Sequence, residues 1–72
     1  MQVIWSAARE NAGLYQREVC EAIGVGMNTL IDWEKYRKHP DVVQAQKLCK
    51  LYGCTLQDII FDKSEQFNIV NE

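Results

Sequence analysis

The sequence predicts an all-α domain, a compact bundle of five short helices. Apolar residues recur three and four positions apart along most of the chain, which is helical spacing. Glycines 13, 24 and 53 close successive periodic stretches, and alternating strand-like runs are scarce. Seventy-two residues make a single domain. A chain of that size buries only roughly 60% of the surface it exposes when unfolded, so its core must be compact or completed by a partner. Hydrophobic residues at 47% with 25% charged residues describe an ordinary globular domain.

The first helix is expected from Val3 to Ala12, with Ile4, Trp5, Ala7, Ala8 and Ala12 as its apolar stripe and Gly13 as its stop. Leu14 and Tyr15 lead into a second, from Gln16 to Ile23, whose inward side is Val19, Cys20 and Ile23. Gly24 ends it as a residue able to take the left-handed conformation. After Val25 and Gly26 a third helix runs from Met27 to about Lys35, with Leu30 and Trp33 facing in. His39-Pro40 interrupts the pattern, and Asp41, with Gln44 three residues on, caps a fourth helix. That helix places Val42, Ala45, Leu48, Cys49 and Tyr52 on one side and stops at Gly53. Thr55, with Asp58 three residues on, opens a short fifth helix through Leu56, Ile59 and Ile60. The join at Gly24 to Gly26, between helices too short to lie antiparallel, suits a helix-turn-helix. The domain is read as residues 1–61, and residues 62–72 as a polar tail interrupted by Phe67, Ile69 and Val70.

Several function classes are disfavoured. No apolar run approaches ~18 residues and no signal peptide precedes the first helix, so a cytoplasmic protein is expected. Cys20, Cys49 and Cys54 with His39 would make a Cys3His zinc set, but no tight cysteine pair of the zinc-site kind is present. Cys49 and Cys54 flank the helix stop at Gly53, and buried thiols behave as small apolar residues. No metal and no cofactor is expected. No nucleophile with a base, no paired carboxylates and no glycine-rich phosphate loop points to an enzyme.

Net charge is −2, against a non-specific polyanion binder. Its distribution is uneven: residues 58–72 hold four acids against Lys63, a net of −3, leaving residues 1–57 at +1. Lys35, Arg37 and Lys38, with His39 beside them, form a cationic cluster after the third helix.

The order and spacing of Ile4, Ala8-Arg9, Gly13-Leu14, Gln16, Val19-Cys20 and Ile23-Gly24-Val25 resemble the lambdoid repressor and Cro class, the Xre-type helix-turn-helix domains. Thr29-Leu30, Trp33-Glu34, Pro40, Leu48, Tyr52-Gly53, Thr55-Leu56 and Ile59-Ile60 continue the match, which covers residues 3 to 61. The resemblance implies that the second helix crosses a DNA backbone, with Gln16 and Arg17 on phosphate. It implies that the third lies in the major groove, presenting Met27, Asn28, Thr29, Ile31 and Asp32 to base edges. Lys35, Arg37 and Lys38 would meet neighbouring phosphates, with Arg9 and Glu34 as an inner structural ion pair. The chemistry of those residue types agrees in part. Asn28 suits an adenine edge, and Met27 or Ile31 a thymine methyl. Cations add sequence-independent affinity through counterion release. The chain departs from the pattern at Tyr15 and Gly26, where helix caps are usual, and at Tyr36, where a glycine is common.

Asp32 carries three readings: acceptor of a cytosine amino group, a charge paired with Lys35 or Tyr36, or the mark of a helix that no longer meets DNA. The first two together are preferred, because the cationic loop follows immediately. Met27 and Ile31 are expected on the outer face, since Leu30 and Trp33 already fill the inner one. The expected function is a sequence-specific DNA-binding transcriptional regulator, of phage or prophage kind, on a double-stranded operator. The alternative is a protein-binding adaptor or anti-regulator on the same scaffold, using Met27, Ile31, Tyr36 and the acidic tail. A homodimer through Ile60, Phe61, Phe67, Ile69 and Val70 stands against a tail folded back over Trp5 and the first helix.

Overall fold

Helix α1 begins at Trp5 because Ile4 before it is extended (φ −77°, ψ 163°), and it runs Trp5–Asn11. The computed structural model describes residues 2–61. Within them follow α2 (Gln16–Ile23), α3 (Met27–Glu34), α4 (Val42–Tyr52) and one 3-10 turn (Leu56–Asp58). Each helix supplies one of the large side chains sealed from solvent: Trp5, Val19, Leu30 and Leu48. Trp33, Ala45, Cys49, Tyr52 and Ile59 complete the core, and α2 packs against both α3 and α4.

Among the described residues there are four α-helices rather than five. The segment expected as a fifth helix makes one 3-10 turn, held by the Asp58 carboxylate, which accepts from the Thr55 backbone N–H at 3.0 Å and its hydroxyl at 3.2 Å. Those two bonds, the backbone one first, hold the Asp58 carboxyl below its ordinary pKa. Ile59 then turns extended, consistent with the stiffness of β-branched side chains in helices. Val3 N–H donates to Asp58 O at 2.7 Å and Ile60 N–H donates to Val3 O at 2.9 Å, an isolated parallel bridge between Val3 and Ile59. Val3, expected inside the first helix, is thereby drawn out of it.

One other expectation is corrected. Val42 is 67% exposed rather than inward, and α4 buries Ala45, Leu48, Cys49 and Tyr52. Pro40, two residues upstream, is buried, so the chain is already anchored before the helix begins. Of the residues expected in a dimer surface, Ile60 is only 8% exposed within its own chain, whereas Phe61 is 37% exposed and its ring meets Trp5 edge-on at 5.7 Å. The chain therefore folds back over α1 as far as Phe61; Phe67, Ile69 and Val70 lie outside the described residues.

The caps explain the helix limits. The Asp41 carboxylate accepts from the Gln44 N–H at 2.8 Å and starts α4. Gly53 ends it at φ 74°, a left-handed conformation that favours glycine.

Candidate nucleic-acid interface

The geometry of α3 is set by what precedes it. Gly24 leaves α2 with φ 85° and donates its N–H to Cys20 O at 2.8 Å, while Val25 N–H reaches the same carbonyl at 3.2 Å. This closes α2 in a single turn, and Gly26, extended at φ −77°, starts α3 without a side-chain cap. At the opposite end of α2 the missing Ser or Thr cap is replaced from below. The Glu18 carboxylate accepts the Tyr15 N–H at 2.8 Å, half of a capping box. The acid three residues after Tyr15 was the sequence signal for this contact.

With that placement α3 buries Leu30, Trp33 and Glu34. Met27 and Asn28 are exposed, and Thr29, Ile31 and Asp32 are half-buried. Ile31 is not among the residues packed on the core cluster. The five residues expected to read base edges are therefore all solvent-accessible, spread over roughly half of the helix circumference.

Glu34 anchors α3 from behind. Arg9 Nε lies 2.7 Å from Glu34 Oε2, and its Nη1 donates to Leu14 O at 3.0 Å. Gln16 Nε2 donates to Glu34 Oε1 at 2.9 Å. One buried carboxylate thus joins α1, α2 and α3. The hydrogen bond to Glu34 raises the arginine's already high pKa, so Arg9 stays charged. Gln16, expected on phosphate, spends one amide hydrogen inside this corner. Arg17, next along α2, is exposed.

The cationic loop is pinned at two points. Arg37 N–H and Lys38 N–H both donate to the Asp32 carbonyl, at 2.9 and 3.3 Å, and Arg37 Nη1 lies 3.3 Å from Asp32 Oδ1. Asp32 pairs with Arg37, just beyond the expected Lys35 and Tyr36: the chain curls back so that position 37 overlies position 32. Tyr36 makes that curl possible. It adopts φ 62°, the left-handed conformation for which a glycine is usual. Its hydroxyl donates to Ile60 O, tying the loop to the end of the fold. Lys35, Arg37, Lys38 and His39 are exposed. The loop presents cations to solvent beside the outer face of α3.

A helix-turn-helix family model matches residues 6–59, across the whole of this geometry. The chain belongs to the helix-turn-helix family. Its place within it is the lambdoid, Xre-type class that the residue pattern resembled. Among curated proteins, the cryptic phage CTXphi transcriptional repressor RstR of Vibrio cholerae is 37% identical over 54 residues, 75% of this chain and 49% of the relative. The chain thus spans about half the length of the curated relative it matches. No solved structure matches it. Among the described residues no group of three or more His, Cys, Asp or Glu is placed to hold a metal ion, and no helix is long and apolar enough to cross a membrane.

Proposed function

We propose that this chain is a sequence-specific DNA-binding transcriptional regulator, with α3 in the major groove of a double-stranded operator. The observation that carries the reading is the open outer face of α3 bounded by Lys35, Arg37 and Lys38, with its only acid, Asp32, in an exposed pair with Arg37. A carboxylate alone on that face would repel phosphate; paired, it repels less. Asn28 and Thr29 supply hydrogen bonds to base edges, and Met27 and Ile31 supply apolar contact to thymine methyls. Lys35, Arg37, Lys38 and Arg17 contact phosphate, with the free valences of Gln16 beside them. Asp32 can accept from a cytosine amino group on the side facing away from Arg37. Similarity to a cryptic-phage repressor supports a phage or prophage origin and a repressing role. Two copies would act on half-sites about 34–36 Å apart, as members of this class do.

Selection of bound duplexes from a random pool tests the reading, with a palindromic enriched site as the expected result. Arg37→Ala and Lys38→Ala should each weaken binding on every sequence and flatten the salt slope by about one. Asn28→Ala should instead change which site is preferred, at a cost of about 1–3 kcal/mol. Unchanged salt slopes would remove the phosphate assignments. No duplex binding at low salt would leave the scaffold as a protein-binding module.

A further inference from the structure

The two cysteines at the end of α4 are placed as a pair by the helix stop between them. Gly53, in the left-handed conformation, folds the chain back so that Cys54 N–H donates to Cys49 O at 2.9 Å. In this type of helix ending, the side chains of those two positions commonly meet. A carbonyl oxygen lies about 2.4 Å from its own Cα and an amide nitrogen about 1.5 Å from its own. The observed bond therefore holds the Cα atoms of Cys49 and Cys54 within about 6.8 Å, the upper end of the range that disulfides span. Cys54 packs against the core cluster to which Cys49 belongs. All three cysteines of the chain are free thiols.

We propose that Cys49 and Cys54 are an oxidisable pair that closes to an intramolecular disulfide across the Gly53 turn. The two positions differ in access. Cys49 is buried, whereas Cys54 is half-buried and lines a surface cleft with Val3, Ala8, Asn11, Tyr52 and Asp58. Burial, with Cys54 beside it, pushes the Cys49 thiol up to about 12, so it is protonated at neutral pH and does not begin the reaction. Cys54 begins it. Its thiolate attacks one sulfur of a small-molecule disulfide, breaking that S–S bond and releasing one thiolate. A mixed disulfide on Cys54 results. The Cys49 sulfur, giving up its proton, then attacks the Cys54 sulfur and displaces the second thiolate. The balance is two protein thiols oxidised to one disulfide, and one small disulfide reduced to two thiols. Cys20, on α2, takes no part.

The folded full chain in excess oxidised glutathione provides the test, read by thiol counting, intact mass and peptide mapping. Titratable thiols should fall from three to one, with a mapped peptide joining Cys49 to Cys54. Cys49→Ala should stop at a glutathione adduct on Cys54, and Cys54→Ser should lose the bridge. If Cys49→Ala does not fold, the wild-type map and Cys54→Ser decide alone. Three outcomes would each overturn the proposal: disulfide-linked dimers through Cys20, a wild-type adduct on Cys54 that never closes, or three thiols surviving conditions that fully oxidise the denatured chain.

Discussion

Helix α3 carries two acid–base pairs, and they are opposites. Glu34 meets Arg9 at 2.7 Å with side chains 7% and 12% exposed, and Gln16 completes the shell around the carboxylate. Asp32, two residues earlier, meets Arg37 at 3.3 Å with side chains 23% and 62% exposed. The first pair spans 25 residues of sequence and the second only five. Water screens the second pair and competes for its bonds far more than for those of the first, whose side chains are mostly covered. Charge pairing on the same helix thus does two jobs. One pair fixes where α3 sits, while the other leaves a cation on the surface that can exchange its partner.

The largest effect follows from the buried pair. Removing one member leaves the other charged and largely covered, which costs up to about 3–5 kcal/mol. Arg9→Ala should lower the urea unfolding free energy by that amount, and Glu34→Ala should fall nearby, because Arg9 can still reach Leu14 O. A loss below about 1 kcal/mol in both would mean that the corner is wetter than its exposures imply, and the contrast with Asp32 would vanish.

Tyr36, beside the exposed pair and packed on the core, predicts an intermediate effect. Its positive φ costs about 1–2 kcal/mol for a residue with a Cβ, and its hydroxyl bond to Ile60 O partly offsets that. Tyr36→Phe deletes the bond and keeps the ring, so stability should drop by about 0.5–1.5 kcal/mol. Amide exchange at Arg37 and Lys38 should quicken, because their bonds to Asp32 O depend on the same curl. Unaltered exchange there would show that the loop holds its course without the hydroxyl.

Much of this was legible in the chain alone, for reasons that differ by residue. The four helices follow from apolar period and glycine stops, and Asp41 announced its own cap through Gln44. Non-local pairing was harder to read. Nothing in Ile59-Ile60 says that Val3 will bond beside it, so a helical period looked sufficient there and a fifth helix was expected. Nothing near Phe61 in sequence says that its ring will meet Trp5, because that contact spans more than fifty residues. The pairing of Asp32 with Arg37 was missed for a local reason. Helical neighbours at positions 35 and 36 were the natural candidates until Tyr36 bent the backbone out of the helix and brought Arg37 over.

The smallest stability effect belongs to the exposed pair, and it sharpens the comparison most. A double-mutant cycle on Asp32→Ala and Arg37→Ala should give a coupling of about 0.2–1 kcal/mol, shrinking as salt is added. Duplex binding should separate the two residues although stability hardly does. Asp32→Asn removes a negative charge from α3 and frees the guanidinium, so affinity for mixed-sequence duplex should rise while discrimination among sequences falls. Arg37→Ala should lower affinity on all of them and expose the carboxylate. If Asp32→Asn instead weakened binding everywhere, the acid would be holding Arg37 in the only pose that reaches phosphate, and the exposed pair would be as structural in its effect as the buried one.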